Sequence, residues 1–333
     1  APVAIRIGNS EWPKWETVMS ADPVDPSALL IDAGTGDERE IARNRPLTRP
    51  RPGHADLPGM LSYDLSEARP VLERASARET AARVALGALA EALLEQVADV
   101  RLVSHVIAVG TQRARSEVVP TPADENALCE ASMRALDPAD NARFEAAVDE
   151  AKHAGDTIGG VVEVIAYGVP VGLGTHVTAR ERLDARLAAA LMSIQSVKGV
   201  EIGDGFAQAA LLGSAAHDEI VRGADGHLTR TTNHAGGIEG GTSNGAPIVA
   251  RAAFKPISTV PRALRSVDLA TGEEAVGLHQ RSDTCQVVPG AVIAEAEVAL
   301  VLADALFDHA GGRSVAEMRR NLSSYLEVVG ERA

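Results

Sequence analysis

Arg51, His54 and Asp56 share one short turn, Arg51-Pro52-Gly53-His54-Ala55-Asp56, so a guanidinium, an imidazole and a carboxylate converge on one stretch of backbone. Such a set could bind an anion and move a proton at the same point. Proline fixes its own φ and glycine frees the next residue, so the backbone should present His54 at an exposed bend instead of burying it in a regular element. An imidazole ordinarily titrates at about pH 6.5, so a positioned histidine gives or takes a proton at cellular pH. On residue type alone, an ordinary loop histidine remains the alternative.

Four further segments carry candidate chemistry. Ser76-Ala77-Arg78-Glu79 fits a capping box, and the helix start it implies would favour anions beside Arg74 and Arg78. The competing reading is a solvated charged face in which Glu73 and Glu79 pair with those arginines. Gly236-Gly237-Ile238-Glu239-Gly240-Gly241 lets backbone approach a ligand, but it lacks the lysine and hydroxyl residue of a P-loop and the spacing of a dinucleotide fingerprint. Lys255-Pro256-Ile257-Ser258-Thr259 is either a phosphate cradle or a plain strand exit. Arg281-Ser282-Asp283 precedes Cys285, which reads as a packed thiol because no base lies near it in sequence. His105, His153, His176, His217, His227, His234, His279 and His309 have no metal-ligand spacing and receive no role; no metal is expected.

Elements must position these groups. An apolar alternation over Ala1–Gly8 predicts an opening strand, and the residues from Glu11 to Pro52 a long connection. Helical spacing runs from Ala68 to Val97, with a possible second start at Ser76. Strands are predicted over Arg101–Gly110 and Asp156–Val171, extended segments over Gly199–Phe206 and Pro247–Phe254, and a helix over Glu181–Val197. Two more helices, Val292–His309 and Val315–Val329, are divided by Gly311-Gly312. Strands and helices intermingle without regular βαβ alternation, so the fold class is α/β in the α+β sense, a mixed sandwich rather than a doubly wound sheet.

Composition narrows the function classes. The 333 residues are 45% hydrophobic with only 3% aromatic, so the core must be aliphatic and stacking platforms for nucleic acid are not expected. A net charge of −14 opposes phosphate-backbone binding, so any anionic ligand needs a local arginine cluster. Two cysteines make no disulfide framework, no apolar run reaches the ~18 residues of a membrane span, and a cytoplasmic location is expected.

Taken together and in order, the Arg51 turn, Arg74-Ala75-Ser76-Ala77-Arg78-Glu79-Thr80, Lys198-Gly199-Val200-Glu201-Ile202-Gly203-Asp204-Gly205-Phe206, the Gly236–Gly241 run, Lys255–Thr259 and Arg281-Ser282-Asp283 resemble chorismate synthase, most closely its bacterial members. The resemblance spans Pro2 to Leu322. It implies a single domain over 1–333 with a β-α-β sandwich subunit in a homotetramer. It also implies the last step of the shikimate pathway, the 1,4-elimination of phosphate from 5-enolpyruvylshikimate 3-phosphate to give chorismate, with reduced FMN. In part of the family a built-in, NADP-linked flavin reductase supplies that flavin.

By matching positions, the resemblance implies flavin contacts at Arg74, Ala75, Ser76, Gln195, Ser196, Gly240, Lys255, Pro256, Ile257, Ser258, Thr259 and Arg281. It implies substrate contacts at Arg51, Arg78 and Arg281. His54 becomes one of two catalytic histidines, and Asp283 with Ser76 a relay toward flavin N5. The family's opening Gly-Glu-Ser-His-Gly segment, which holds the other histidine, and the arginine-rich segment after it have no match, and the chain begins without methionine. An N-terminally incomplete domain with weak FMN binding and poor turnover is therefore expected, and Leu30–Glu40 reads as an insertion before Arg51. The alternative is a non-catalytic flavin- or anion-binding remnant that contributes to an assembly.

Overall fold

The computed structural model describes residues 2–29, 44–115, 118–224, 226–277 and 282–332. Two compact units emerge, one from Ala1–Glu79 with Ser258–Arg281 and the other from Thr80–Ile257 with Ser282–Ala333.

In the first unit, helices α1 (Asp56–Ser62) and α2 (Arg69–Arg74) enclose a small core of Leu47, Met60 and Ala68, with Leu65 and Leu72 against it. Gly59 permits this approach, since a Cβ there would lie 2.4 Å from Val71 Cγ1. A two-stranded ribbon, Arg265–Val267 with Glu274–Val276, belongs to the same unit. The chain just before the Arg51 turn is tied to it: Leu269 N–H donates to Thr48 O at 3.0 Å and Ser266 Oγ to Pro50 O at 2.5 Å.

The predicted opening strand does not form over residues 2–8. Alternation makes a strand only where a sheet takes up one face, and Val3, Ile5 and Ile7 are all exposed. The connection that follows holds one helical turn, Trp12–Trp15, and a 3-10 turn, Pro26–Leu29. The expected insertion at Leu30–Glu40 lies outside the described residues.

The helical pattern from Ala68 to Val97 divides where its serine allowed. After α2 comes a 3-10 turn, Ala77–Glu79, and then α3 (Thr80–Ala98). Ser76 Oγ accepts from Arg78 N–H at 3.3 Å, and Glu79 N–H donates to Ser76 O at 3.3 Å, so the serine organises the turn before the helix.

The second unit is built on an antiparallel sheet. Its strands are β1 (Arg101–Val109), β2 (Gln112–Arg113), β3 (Gly160–Tyr167), β4 (Val197–Ile202) and β5 (Ile248–Phe254), in the order β2-β1-β3-β5-β4. Runs of valine and isoleucine made the long strands legible. The segment Gly199–Phe206 stays extended only to Ile202, because Gly205 starts a helical turn that carries Phe206.

Behind one sheet face lie α3, α5 (Leu183–Met192) and α6 (Val287–Ala310). Val162, Val164, Ile248, Ala250 and Ala252 from the sheet meet Leu94, Leu187, Leu191, Leu302 and Leu306 from these helices in one aliphatic core. Close helix contact needs Gly87 on α3, where a Cβ would stand 2.4 Å from Ala296 Cβ on α6. α6 stops where Gly311 and Gly312 take φ of 59° and 104°, and α7 (Val315–Arg332) follows as the paired glycines imply.

One long helix was not foreseen, α4 (Pro138–His153). Its start signal is present in Asp137, whose side chain accepts from Ala139 N–H, with Pro138 in the first turn; its polar composition hid the period. The fold is α+β, as expected, and among the described residues no helix is long and apolar enough to cross a membrane.

Candidate functional site

The Arg51 turn closes on itself. Gly53 takes φ of 76°, which bends the chain so that His54 and Asp56 return over Arg51. Asp56 Oδ2 accepts from Arg51 Nε at 2.8 Å and from Arg51 N–H at 3.0 Å, and Asp56 Oδ1 from Arg51 Nη2 at 3.1 Å. His54 Nδ1 lies 2.5 Å from Asp56 Oδ1, and Arg51 Nη1 donates to Thr259 Oγ1 at 2.9 Å. Arg51, Asp56 and Thr259 are buried.

The expectation of an exposed histidine is corrected. The His54 side chain is 19% accessible, because its carboxylate partner is wholly buried and draws the ring inward. Burial pushes the Asp56 carboxyl up, but hydrogen bonds from His54 and Arg51 and the guanidinium charge outweigh it and hold the group far below the usual carboxylate range. A fixed carboxylate against Nδ1 selects the tautomer that carries its proton there. Nε2, 3.3 Å from Arg51 Nη2, is then the acceptor nitrogen.

Within the same unit, Ser76 is half-buried, and Ala75 ends α2 with its N–H on Val71 O at 2.9 Å. Arg74 and Arg78 are exposed and make no ion pair among the described residues, so the local Glu73 and Glu79 partners do not neutralise them. Ser258 is half-buried. Arg281 lies outside the described residues.

The second unit brings other expected positions together. Lys255 N–H donates to Ser196 O at 2.9 Å, with Ser196 in the left-handed region at φ of 71°. Thr157 Oγ1 donates to Ile257 O at 2.8 Å. Burial and then the charge of Lys198 push the Lys255 ammonium down. Gly240 is exposed at φ of 59°, Pro256 is exposed and Gln195 is half-buried. Asp283 is exposed, and Cys285 is packed, its thiol pushed up by burial.

These residues fit a phosphate-bearing cofactor. Within the second unit, Lys255 supplies a cation and Ser196 a hydroxyl, and a non-glycine residue held at positive φ marks a segment whose shape is constrained by more than its own backbone. Sequence reasoning missed three partnerships. Asp56 was placed in the turn with Arg51 and His54 but given no role of its own; Thr259, expected on the flavin, also accepts from Arg51; and His234, left without a role, pairs with Asp204 at 2.5 Å.

A family model described as "Chorismate synthase" matches residues 1–307. The chain is 61% identical over 331 residues to the chorismate synthase of Beutenbergia cavernae, covering 99% of this chain and 81% of that protein. It is 57% identical over 331 residues to that of Mycolicibacterium vanbaalenii, with 99% and 80% covered. It is 58% identical over 328 residues to that of Acidothermus cellulolyticus, with 98% and 81% covered. A crystal structure described as "Crystal Structure of Chorismate Synthase" superposes with a TM-score of 0.71 at 36% identity, covering 83% of this chain and 77% of that one.

The matched family and relatives place the chain among the lyases. The chain belongs to the chorismate synthase family and has that family's activity, in aromatic biosynthesis and with a reduced flavin. Identity sustained over nearly the whole chain does not favour the non-catalytic remnant.

Proposed function

We propose that the Arg51 turn is the proton-handling and anion-binding centre for the 1,4-elimination of phosphate from 5-enolpyruvylshikimate 3-phosphate, giving chorismate. Phosphate leaves with its bonding pair, one ring hydrogen leaves as a proton, and no net oxidation occurs. The observation that carries the reading is His54 held by Asp56 through Nδ1, with the Arg51 guanidinium against the same ring.

His54 acts as a proton carrier through Nε2, exchanging a proton with the reduced cofactor. Its ring needs no reorientation between turnovers, because Asp56 is already ionised and aligned. Arg51, Arg78 and Arg281 bind the three anionic groups of the substrate against the overall negative charge, and they stabilise the charge that builds on the departing phosphate.

The flavin is FMN, held by the segments around Arg74–Ser76, Gln195–Ser196, Gly240, Lys255–Thr259 and Arg281. When bound, reduced FMN would supply the electron density that eases loss of phosphate, and would offer N5 as the acceptor of the ring proton. Ser76 and Asp283 form the relay that moves a proton at that atom. The enzyme works in the cytoplasm as a homotetramer, with an NADP-linked source of reduced flavin.

The test is anaerobic release of inorganic phosphate from 5-enolpyruvylshikimate 3-phosphate with photoreduced FMN. Release that requires both the enzyme and reduced FMN is the expected result. Release that proceeds equally with oxidised FMN, or none with a folded chain, overturns the reading.

A further inference from the structure

The run Gly236–Gly241 ends in a tight hairpin. Ile238–Glu239 pairs with Thr242–Ser243, and Gly240 and Gly241 turn between them at φ of 59° and 86°. Gly236 and Gly237 also take positive φ, 61° and 77°. A backbone so rich in glycine has little of its own to fix its place, so neighbouring groups must hold it. The outgoing strand is held through Ser243, whose Oγ donates to Pro170 O at 2.6 Å and accepts from Leu173 N–H at 2.8 Å. The incoming strand is held through the residues just before it.

His234 is anchored there by backbone and ring together. Its N–H donates to Asp218 Oδ1 at 2.7 Å, its carbonyl accepts from Asp204 N–H at 2.9 Å, and its Nδ1 donates to Asp204 Oδ2 at 2.5 Å. Asp218 also accepts from Thr232 Oγ1 at 2.5 Å and from Ala235 N–H at 3.0 Å. Asp204 stands just past the end of β4, where the backbone touches the base of the hairpin: a Cβ on Gly203 would lie 2.2 Å from His234 O and 2.6 Å from Gly236 N. Val249 on β5 joins the same point, accepting from Gly203 N–H at 2.9 Å and donating to Gly236 O at 3.2 Å. A shift of His234 is therefore passed to Gly236 and on toward the Gly240 tip.

The His234 and Asp204 side chains are 28% and 37% accessible, and a pair so open to water adds little to global stability. Its effect is local. The hydrogen bond to Asp204 pushes the imidazole up, desolvation opposes this, and the charges of Asp204 and Asp218 add to it, so the ring favours its charged form and the bond is charge-assisted.

We propose that the Asp204–His234 pair is a positioning device that sets the Gly236–Gly241 hairpin for the flavin. The proposal rests on the reading that the flavin meets Gly240, and it adds two residues that act on the cofactor through that hairpin.

The test is the dissociation constant of FMN in the whole chain, oxidised by fluorescence quenching and photoreduced by anaerobic absorbance titration. His234→Ala and Asp204→Ala should each weaken binding by about tenfold or more, with unchanged far-ultraviolet circular dichroism. Combining them should weaken it no further than either alone, because both remove one interaction. His234→Asn places an amide donor where Nδ1 stood and should bind within about threefold of the native chain. Without FMN, hydrogen exchange over residues 236–241 should be faster in His234→Ala than in His234→Asn.

Folded His234→Ala and Asp204→Ala proteins that bind FMN as the native chain does overturn the proposal, as does an asparagine variant as weak as the alanine one. Gly240→Ala separates the two readings: its methyl would meet His176 Cβ at 4.0 Å and nothing nearer, so unaltered FMN binding in it overturns the flavin contact at Gly240 itself. Should His234→Ala fail to fold, Asp204→Ala and His234→Asn decide.

Discussion

Asp56 Oδ1 sits 2.5 Å from His54 Nδ1, and this contact fixes which nitrogen of the ring carries the proton in the neutral imidazole. Asp56 is wholly buried and bound also to Arg51, so it sets the imidazole and the guanidinium together. Asp56→Asn keeps the shape but loses the charge and allows the other tautomer. We expect kcat to fall by about 10²-fold or more, within the range that a positioned acid or base supplies. Steady-state kinetics at saturating reduced flavin check this; an unchanged kcat removes Asp56 from the orienting role.

The same carboxylate ties stability to acid. Its folded pKa is depressed, so its contribution is present above the unfolded value of about 3.9 and is lost as pH falls toward the folded one. Removing the charge leaves Arg51 buried without its ionic partner, a change that costs about 3–5 kcal/mol where such pairs are broken outright. The difference in melting temperature between the native chain and Asp56→Asn should therefore be largest near neutral pH and shrink below pH 4. A difference that stays constant from pH 7 to pH 2 contradicts the assignment.

Glu91 on α3 responds in the opposite sense. Burial pushes its carboxyl up, Glu295 and Glu125 add to this and Arg134 opposes it, raising the pKa from 4.5 to about 7. A raised folded pKa means that stability is fully present below pH 4.5 and is lost as pH rises to about 7. Glu91→Gln removes the charge, and at pH 8 it should raise the melting temperature by roughly 2–4 °C, the shift expected for about 1 kcal/mol in a domain of this size. At pH 4.5 the gain should vanish.

Gly87 lets α3 touch α6. A Cβ would come within 2.6 Å of the Ala296 backbone as well as 2.4 Å of its side chain, so Gly87→Ala must separate two core helices. Overpacking of this kind costs about 1–3 kcal/mol, more than the gain in helix propensity returns. Chemical denaturation should show the loss; a stabilised variant would mean that the helices adjust freely.

The elements legible in the sequence were those whose own residues carried the signal. β1, β3 and β5 announce themselves through β-branched runs, and the break between α6 and α7 through Gly311-Gly312. Val3, Ile5 and Ile7 gave the same alternation without a sheet to pair with, and a strand did not follow. The Arg51 turn was readable because its partners are neighbours in sequence. Thr259 was not readable as the partner of Arg51, being 208 positions away, and His105 received no role because Glu163 and Arg251 join it only through strand pairing. Short-range chemistry survives in a single sequence, whereas contacts made by sheet register need the fold.

The central claim is that His54 carries a proton in the elimination. It is tested most directly by phosphate release from 5-enolpyruvylshikimate 3-phosphate, comparing His54→Ala with the native enzyme anaerobically at saturating reduced FMN. The account predicts a loss of about 10²–10⁴-fold in kcat with flavin binding retained. Turnover equal to the native rate would contradict it.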